Sequence, residues 1–292
     1  MMAARMHVRR LSILGVGLLG GSLGLAAKRR IDGVRVVGYG HRPQTLDAAL
    51  ARGAIDEAAT DPAAAVAGAD LVVLATPVGL FRELLVRIAP ALDSNAIVTD
   101  VGSTKRTVAA AAAEVLPERG RFFVPSHPMA GSEKRGVEFA DAELFQNAVC
   151  ILTPTAATDL RAVEAIESLW RTVGMRTTRL TPDEHDRRLA DVSHLPHALA
   201  AALVAMQDDA SLHLIGKGFL DATRIAAGDG GLWRDIFLDN RDHLADAIRN
   251  YRQVLDGLLA LLEPEKGDAL KKWLDDAALK REALKREALN RR

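Results

Sequence analysis

Apolar residues in the first 180 positions alternate between two textures. Short, nearly unbroken apolar runs occupy residues 11–14, 34–39, 71–75, 97–100, 122–124 and 148–152. Between them lie stretches whose apolar residues recur at helical spacing, over 19–30, 45–52, 80–92, 104–115 and 160–173. Short buried runs separated by amphipathic helices predict a parallel sheet covered on both faces. At Thr181-Pro182 the texture changes. Thr181 suits a helix cap, Pro182 the first helical position, and Asp183 and Glu184 the first turn. Beyond that point no strand is expected. The runs 183–209, 232–238, 241–262 and 264–289 all read as helix. The expected division is a domain of residues 1–180 followed by an all-helical domain of 181–292.

The helical part carries more apolar faces than it can hide alone, among them Leu195, Leu199 and Leu203, and Leu255, Leu258 and Leu262. A homodimer through this domain is therefore expected. Near the end, Ala278-Leu279-Lys280-Arg281-Glu282 is repeated as Ala283-Leu284-Lys285-Arg286-Glu287. A five-residue period drifts around a 3.6-residue helix, so this reads as a solvated helix rather than a coiled-coil seam.

Charge adds an exclusion. Lys and Arg number 38 against 38 Asp and Glu, for a formal net charge of zero. Nothing in that balance favours nucleic acid or a membrane surface. Arg5, Arg9 and Arg10 precede an apolar stretch, but Gly15, Gly17, Gly20 and Gly21 interrupt it, so it does not read as a leader. The single cysteine, Cys150, sits inside an apolar run and reads as a buried strand thiol, which fits a cytoplasmic protein without disulfides.

The chemistry starts at the first strand. Gly15-Val16-Gly17-Leu18-Leu19-Gly20 follows it directly and opens a helix. In that context G-x-G-x-x-G is a dinucleotide-binding turn of the Rossmann type. Gly15 permits the tight turn, Gly17 the approach of a pyrophosphate, and Gly20 the close packing of helix on strand. The phosphates would meet the free N–H groups of the helix start, with Leu18 and Leu19 in its first turn. The second strand ends Gly38-Tyr39-Gly40-His41-Arg42-Pro43. An NAD enzyme places an acid there to hold the ribose hydroxyls. Gly40 takes its place, and His41 and Arg42 follow, which points to NADP or to use of both cofactors. The alternative for Arg42 is an ordinary surface arginine in a loop. Two more strand ends, Ala75-Thr76-Pro77 and Asp100-Val101-Gly102-Ser103-Thr104-Lys105, should face the same crevice. Capping alone can account for either Ser103 or Thr104.

His127 follows the 122–125 strand end, in what reads as a polar loop, where a dehydrogenase keeps its base. His194 and His197 lie three apart on one helix. No third ligand has metal-site spacing, so no metal is expected. For Trp233 the residues alone suggest core packing. For Arg224 they suggest an ion pair with Asp221.

Four segments then resemble the prephenate/arogenate dehydrogenases of tyrosine biosynthesis: GVGLLGGS (15–22), SHPMAGSEKRG (126–136), SHLPHA (193–198) and DATRIAAGDGGLWRDI (221–236). The resemblance runs in order over roughly residues 10–262. It leaves no room for the chorismate mutase or amino-acid-binding domains that some relatives carry. It implies oxidative decarboxylation of a cyclohexadienol with hydride transfer to NAD(P). It further implies that His127 is the base, that Ser103 orients it, that Arg224 binds a substrate carboxylate and that His197 contacts the substrate. Glu133 and Asp186 match acids that gate the cleft. Two other readings remain at this point. One is a β-hydroxyacid-type dehydrogenase, which would use a lysine early in the second domain, where this chain has none before Lys217. The other is a dinucleotide sensor without catalysis, which would have no use for His127.

Overall fold

The computed structural model describes residues 8–116, 120–132 and 134–290. These form two compact units, Met1–Asn240 and Arg241–Arg292. The first unit opens with β1 (Arg10–Leu14), α1 (Leu18–Arg30), β2 (Arg35–Tyr39), α2 (Pro43–Ala51), β3 (Glu57–Ala59) and α3 (Pro62–Val66). It continues with β4 (Leu71–Leu74), α4 (Phe81–Ile88), β5 (Ile97–Asp100), α5 (Arg106–Val115) and β6 (Phe123–Val124). The six strands pair in the order β3-β2-β1-β4-β5-β6, all parallel. This is the doubly wound Rossmann arrangement expected from the apolar runs. Its strand order reverses between β1 and β4, which opens a crevice at their carboxyl ends.

Side chains alternate across the sheet, so each face has its own core. Leu11, Ile13, Val36, Leu71 and Val73 pack with α1 on one side. Val37, Val72, Leu74 and Val98 pack with α3, α4 and α5 on the other. β3 and α3 were not expected from the pattern. A three-residue strand and a five-residue helix are too short to show a period.

A second, small sheet follows: β7 (Ser126–Pro128), β8 (Val149–Leu152) and β9 (Arg176–Arg179), with α6 (Leu160–Thr172) between the last two. β7 runs antiparallel to β8, and β8 parallel to β9. This corrects the placement of His127, which lies on β7 opposite Ile151 and not in a polar loop. Apolar β8 supplies the ladder that recruits the polar Ser126-His127-Pro128 segment. β9 is the polar sequence RTTR at the sheet edge and carries no hydrophobic alternation.

After β9 the described residues contain no strand. α7 (Pro182–Leu189) begins with the expected cap. Thr181 and Glu184 form a reciprocal capping box, with Pro182 in the first turn. A π turn, Ala190–His194, joins α7 to α8 (Leu195–Ala205). Pro196 has no N–H to give to Val192, and the helix widens at that point. The unit closes with α9 (Asp209–Leu212), α10 (Lys217–Thr223) and α11 (Gly230–Asp239). The second unit consists of α12 (Arg241–Ala260) and α13 (Gly267–Asn290). On α13, Leu279 and Leu284 are exposed, as the drifting repeat predicts. No helix among the described residues is long and apolar enough to cross a membrane.

Candidate active site

The glycine turn is built for close approach. Gly15 has φ +110°, and a Cβ on it would sit 2.7 Å from the carbonyl carbon and oxygen of Ala75. A Cβ on Gly20 would collide with the Gly15 carbonyl oxygen. α1 therefore starts hard against β1 and β4. Its N-cap is Gly17, which offers no side chain to the first-turn N–H groups and faces open space. Those donors, with the positive end of the helix, point into the crevice and fit a dinucleotide pyrophosphate. At Gly40, which follows β2, an added Cβ would make only ordinary contact with Leu46, at 3.4 Å. Packing does not demand a glycine there. His41 and Arg42 are exposed at the start of α2.

From this turn a cleft of about 850 Å³ extends to α8 and α11. It is lined by Gly17, Leu18, Leu19, Thr76 and Pro77 at one end, and by His197, Arg224 and Trp233 at the other. Ser103 and Met129 also line it. The size suits a small-molecule or cofactor site. Lys134, Arg135 and Arg224 give it a cationic rim, and Arg135 pairs with Asp229, the N-cap of α11. His197 stacks on Trp233, with centroids 3.5 Å apart and rings inclined by 14°. Trp233 is thus a wall of the cleft as well as a packing residue.

His127, two residues before Met129, keeps 8% of its surface exposed. Its Nδ1 lies 2.9 Å from His185 Nε2. His185 Nδ1 lies 2.7 Å from Asp186 Oδ1. The Asp186 carboxylate also accepts the backbone N–H of Lys105 (2.8 Å) and of Arg106 (2.9 Å). Among the described residues nothing bonds His127 Nε2. Burial, followed by the electrostatic cost of a second positive charge near His185, Lys105 and His194, holds the His127 imidazole well below the usual histidine range. Burial likewise lowers His185 and His197, and brings His194 to about 4. Burial would raise Asp186, but His185 and the two N–H groups together hold it below the usual carboxylate range. These imidazoles are neutral, and Asp186 is an anion, at pH 7.

Beneath this chain lies a sealed ion pair. Lys105 and Asp100 are both fully buried and bonded to each other. Asp100 also accepts the N–H of Gly102 (2.7 Å) and of Ser126 (3.1 Å). Ser126 Oγ is held by Thr99, Trp170 and the Asp100 carbonyl, which anchors the strand that carries His127.

The structure thus gathers Gly17, Leu18, Leu19, Thr76, Pro77, Ser103, His197 and Arg224 in one cleft, and buried His127 precedes the lining residue Met129 by two positions. Asp186 departs from expectation. It is 1% exposed and stands behind His185, not at the mouth of the cleft, because two backbone N–H groups and an imidazole bind it inside. Glu133 lies outside the described residues. Sequence reasoning passed over His185, Lys105 and Asp100. The adjacent His185-Asp186 pair was the available signal, whereas Lys105 looks like any polar residue at a helix start. Among the described residues no cluster could hold a metal ion.

Comparison with known proteins decides the family. The family model described as prephenate dehydrogenase, nucleotide-binding domain, matches residues 23–179, and the one described as prephenate dehydrogenase, dimerization domain, matches residues 181–276. The chain belongs to the prephenate dehydrogenase family. It is 37% identical over 272 residues to a prephenate dehydrogenase of Bacillus subtilis, covering 91% of this chain and 73% of that one. It is 35% identical to a cyclohexadienyl dehydrogenase of Zymomonas mobilis, covering 90% and 91%. Among solved structures it resembles prephenate dehydrogenase from Aquifex aeolicus in complex with hydroxyphenyl propionate and NAD+, with TM-score 0.89, 35% identity and coverage of 94% and 98%. It also resembles Synechocystis arogenate dehydrogenase, with TM-score 0.80, 31% identity and coverage of 94% and 99%. The chain is therefore an NAD(P)-dependent oxidoreductase of this family, and neither the β-hydroxyacid reading nor the sensor reading is favoured.

Proposed function

We propose that this chain catalyses the oxidative decarboxylation of prephenate or arogenate in tyrosine biosynthesis, with His127 as the base. The observation that carries the reading is a neutral imidazole with an unbonded Nε2 two residues before Met129, which lines a cleft that joins a dinucleotide turn to Arg224. A dinucleotide held by the Gly15–Gly20 turn would supply the hydride acceptor for C4 of the substrate. His127 takes the proton of the 4-hydroxyl as that oxygen becomes a carbonyl. The C1–carboxylate bond then breaks, CO₂ leaves, and its electron pair aromatises the ring, whose phenolate oxygen can retake the proton from His127. Arg224 has the planar fork that holds a carboxylate. Lys134 and Arg135 add a field suited to an anionic substrate. Ser103 and His197 line the path between these groups. Initial rates with prephenate and with arogenate, each with NAD and with NADP, test the reading. Turnover of either substrate is expected, and none in all four combinations would reject it.

The cofactor is proposed to be NADP, or both dinucleotides. Gly40 removes the carboxylate that would repel a 2′-phosphate, and Arg42 stands exposed at the start of α2 beside His41. Arg42→Ala is expected to raise KM for NADP by about tenfold, the scale of one charge-assisted hydrogen bond to phosphate. KM for NAD should barely change, and equal effects on the two would refute the assignment.

The working form is proposed to be a homodimer. Leu203, Leu214, Leu220 and Leu238 are exposed on α8, the segment after α9, α10 and α11, and the matched family model is a dimerization domain. Sedimentation equilibrium should return twice the mass of the chain, and a monomer at micromolar concentration would count against it. The lone buried Cys150 fits a cytoplasmic setting.

A further inference from the structure

A general base of this kind works in only one neutral tautomer. If Nδ1 of His127 carries the proton, Nε2 has a free lone pair and can accept the substrate proton. If Nε2 carries it, the ring cannot act. The hydrogen-bond chain behind His127 decides between the two. Asp186 is an anion that accepts from two backbone N–H groups, so it can only accept from His185. The proton between them at 2.7 Å therefore sits on His185 Nδ1. His185 is neutral and fully buried, so its Nε2 is left as an acceptor. Among the described residues the only donor within reach of that nitrogen, at 2.9 Å, is His127 Nδ1–H. The opposite assignment would place two lone pairs face to face in a buried site.

We propose that His185, anchored by Asp186, is a positioning residue that fixes His127 as the Nδ1–H tautomer and leaves Nε2 bare for the substrate hydroxyl. The proposal rests on the reading of His127 as the base and adds residues that make it competent. No proton passes to Asp186. His127 gains one at Nε2 and keeps its own at Nδ1, and the resulting cation is stabilised through His185 by the Asp186 charge. The other charged or titratable groups bearing on His127 are Lys105 from the approach to α5, with its partner Asp100, and His194 from the π turn. None of them bonds the ring, so they set its charge and not its tautomer. The π turn keeps His194 apart from this chain, with its Nδ1 on the Asn240 amide at 3.2 Å.

The test reads the tautomer directly. The enzyme labelled with ¹⁵N-histidine is examined by NMR without substrate, and His127 is assigned by the signals missing from His127→Asn. A protonated Nδ1 and an unprotonated Nε2 are expected, and a protonated Nε2 overturns the proposal. In His185→Phe the fixing acceptor is gone, so both tautomers should appear and kcat should fall by about 10²-fold or more, with KM within a few-fold. His185→Gln retains an amide oxygen toward His127 with its N–H₂ toward Asp186, so it should recover both the tautomer and much of kcat. Unchanged kcat in His185→Phe also overturns the proposal. If His185→Phe fails to fold, the spectrum of the unsubstituted enzyme still decides. Absence of turnover in the unsubstituted enzyme would reject the catalytic reading and leave the tautomer result standing, so the two failures are distinguishable.

Discussion

His127→Asn is expected to lower kcat by about 10²–10⁴-fold while cofactor and substrate still bind, because a positioned general base contributes that much to a proton transfer. The asparagine keeps a polar group on β7 and the pairing with β8, but it offers no lone pair basic enough to take a hydroxyl proton. Steady-state rates with fluorescence titration of the nicotinamide cofactor would separate the two effects, and near-normal turnover with both ligands bound would remove His127 from the mechanism. The pH profile carries a second part of this expectation. An ordinary histidine titrates near pH ~6.5. Burial, with His185, Lys105 and His194 nearby, holds His127 well below that. A base with a lowered pKa is already deprotonated at neutral pH, so kcat should stay level on descending through pH ~6.5 and fall only in more acid solution. A limb centred at the ordinary histidine value would mean that these neighbours do not act on it.

Lys105→Met is expected to destabilise the protein by about 3–5 kcal/mol, because it strands a buried carboxylate. Asp100 and Lys105 have no exposed surface, and among the described residues Asp100 has no other cation bonded to it. Once the ammonium is gone, Asp100 must stay charged without compensation or take up a proton. Its bonds to the Gly102 and Ser126 N–H groups then weaken, and with them the seat of β7. Urea unfolding would show the loss as a lower midpoint. Adding Asp100→Asn should make the pair less than additive, since the stranded charge is removed. Strict additivity would show that the two side chains do not stabilise one another. The same substitution removes a positive charge near His127, so the acid limb of kcat should move to higher pH.

The two kinds of residue differ in how far the chain announces them. The G-x-G-x-x-G turn is legible because its chemistry is local. Strand, tight turn and helix start lie within a few residues, and the backbone itself binds the phosphates. The capping box at Thr181 and Glu184 is local in the same way. The buried ion pair is not. Lys105 follows two capping-type residues at the start of a helix, a place where lysines are ordinarily solvated. Only the packing of β5, β7 and α7 around it removes the water and pairs it with Asp100. Asp186 shows the same limit. Placed by resemblance at a gate, it is captured by backbone N–H groups 80 and 81 residues earlier in the chain.

The sequence by itself determined the parallel sheet, the dinucleotide turn, the helical texture after residue 180 and the family, because each rests on periodicity or on motifs read within a short window. Tertiary structure alone decided that His127 lies on a strand and that His185 stands between it and Asp186. It also decided that His197 stacks on Trp233 and that Lys105 is sealed against Asp100. These are contacts between segments separated by tens of residues. Whether a titratable group there is charged, and on which nitrogen it carries its proton, depends on partners and burial that no local pattern specifies.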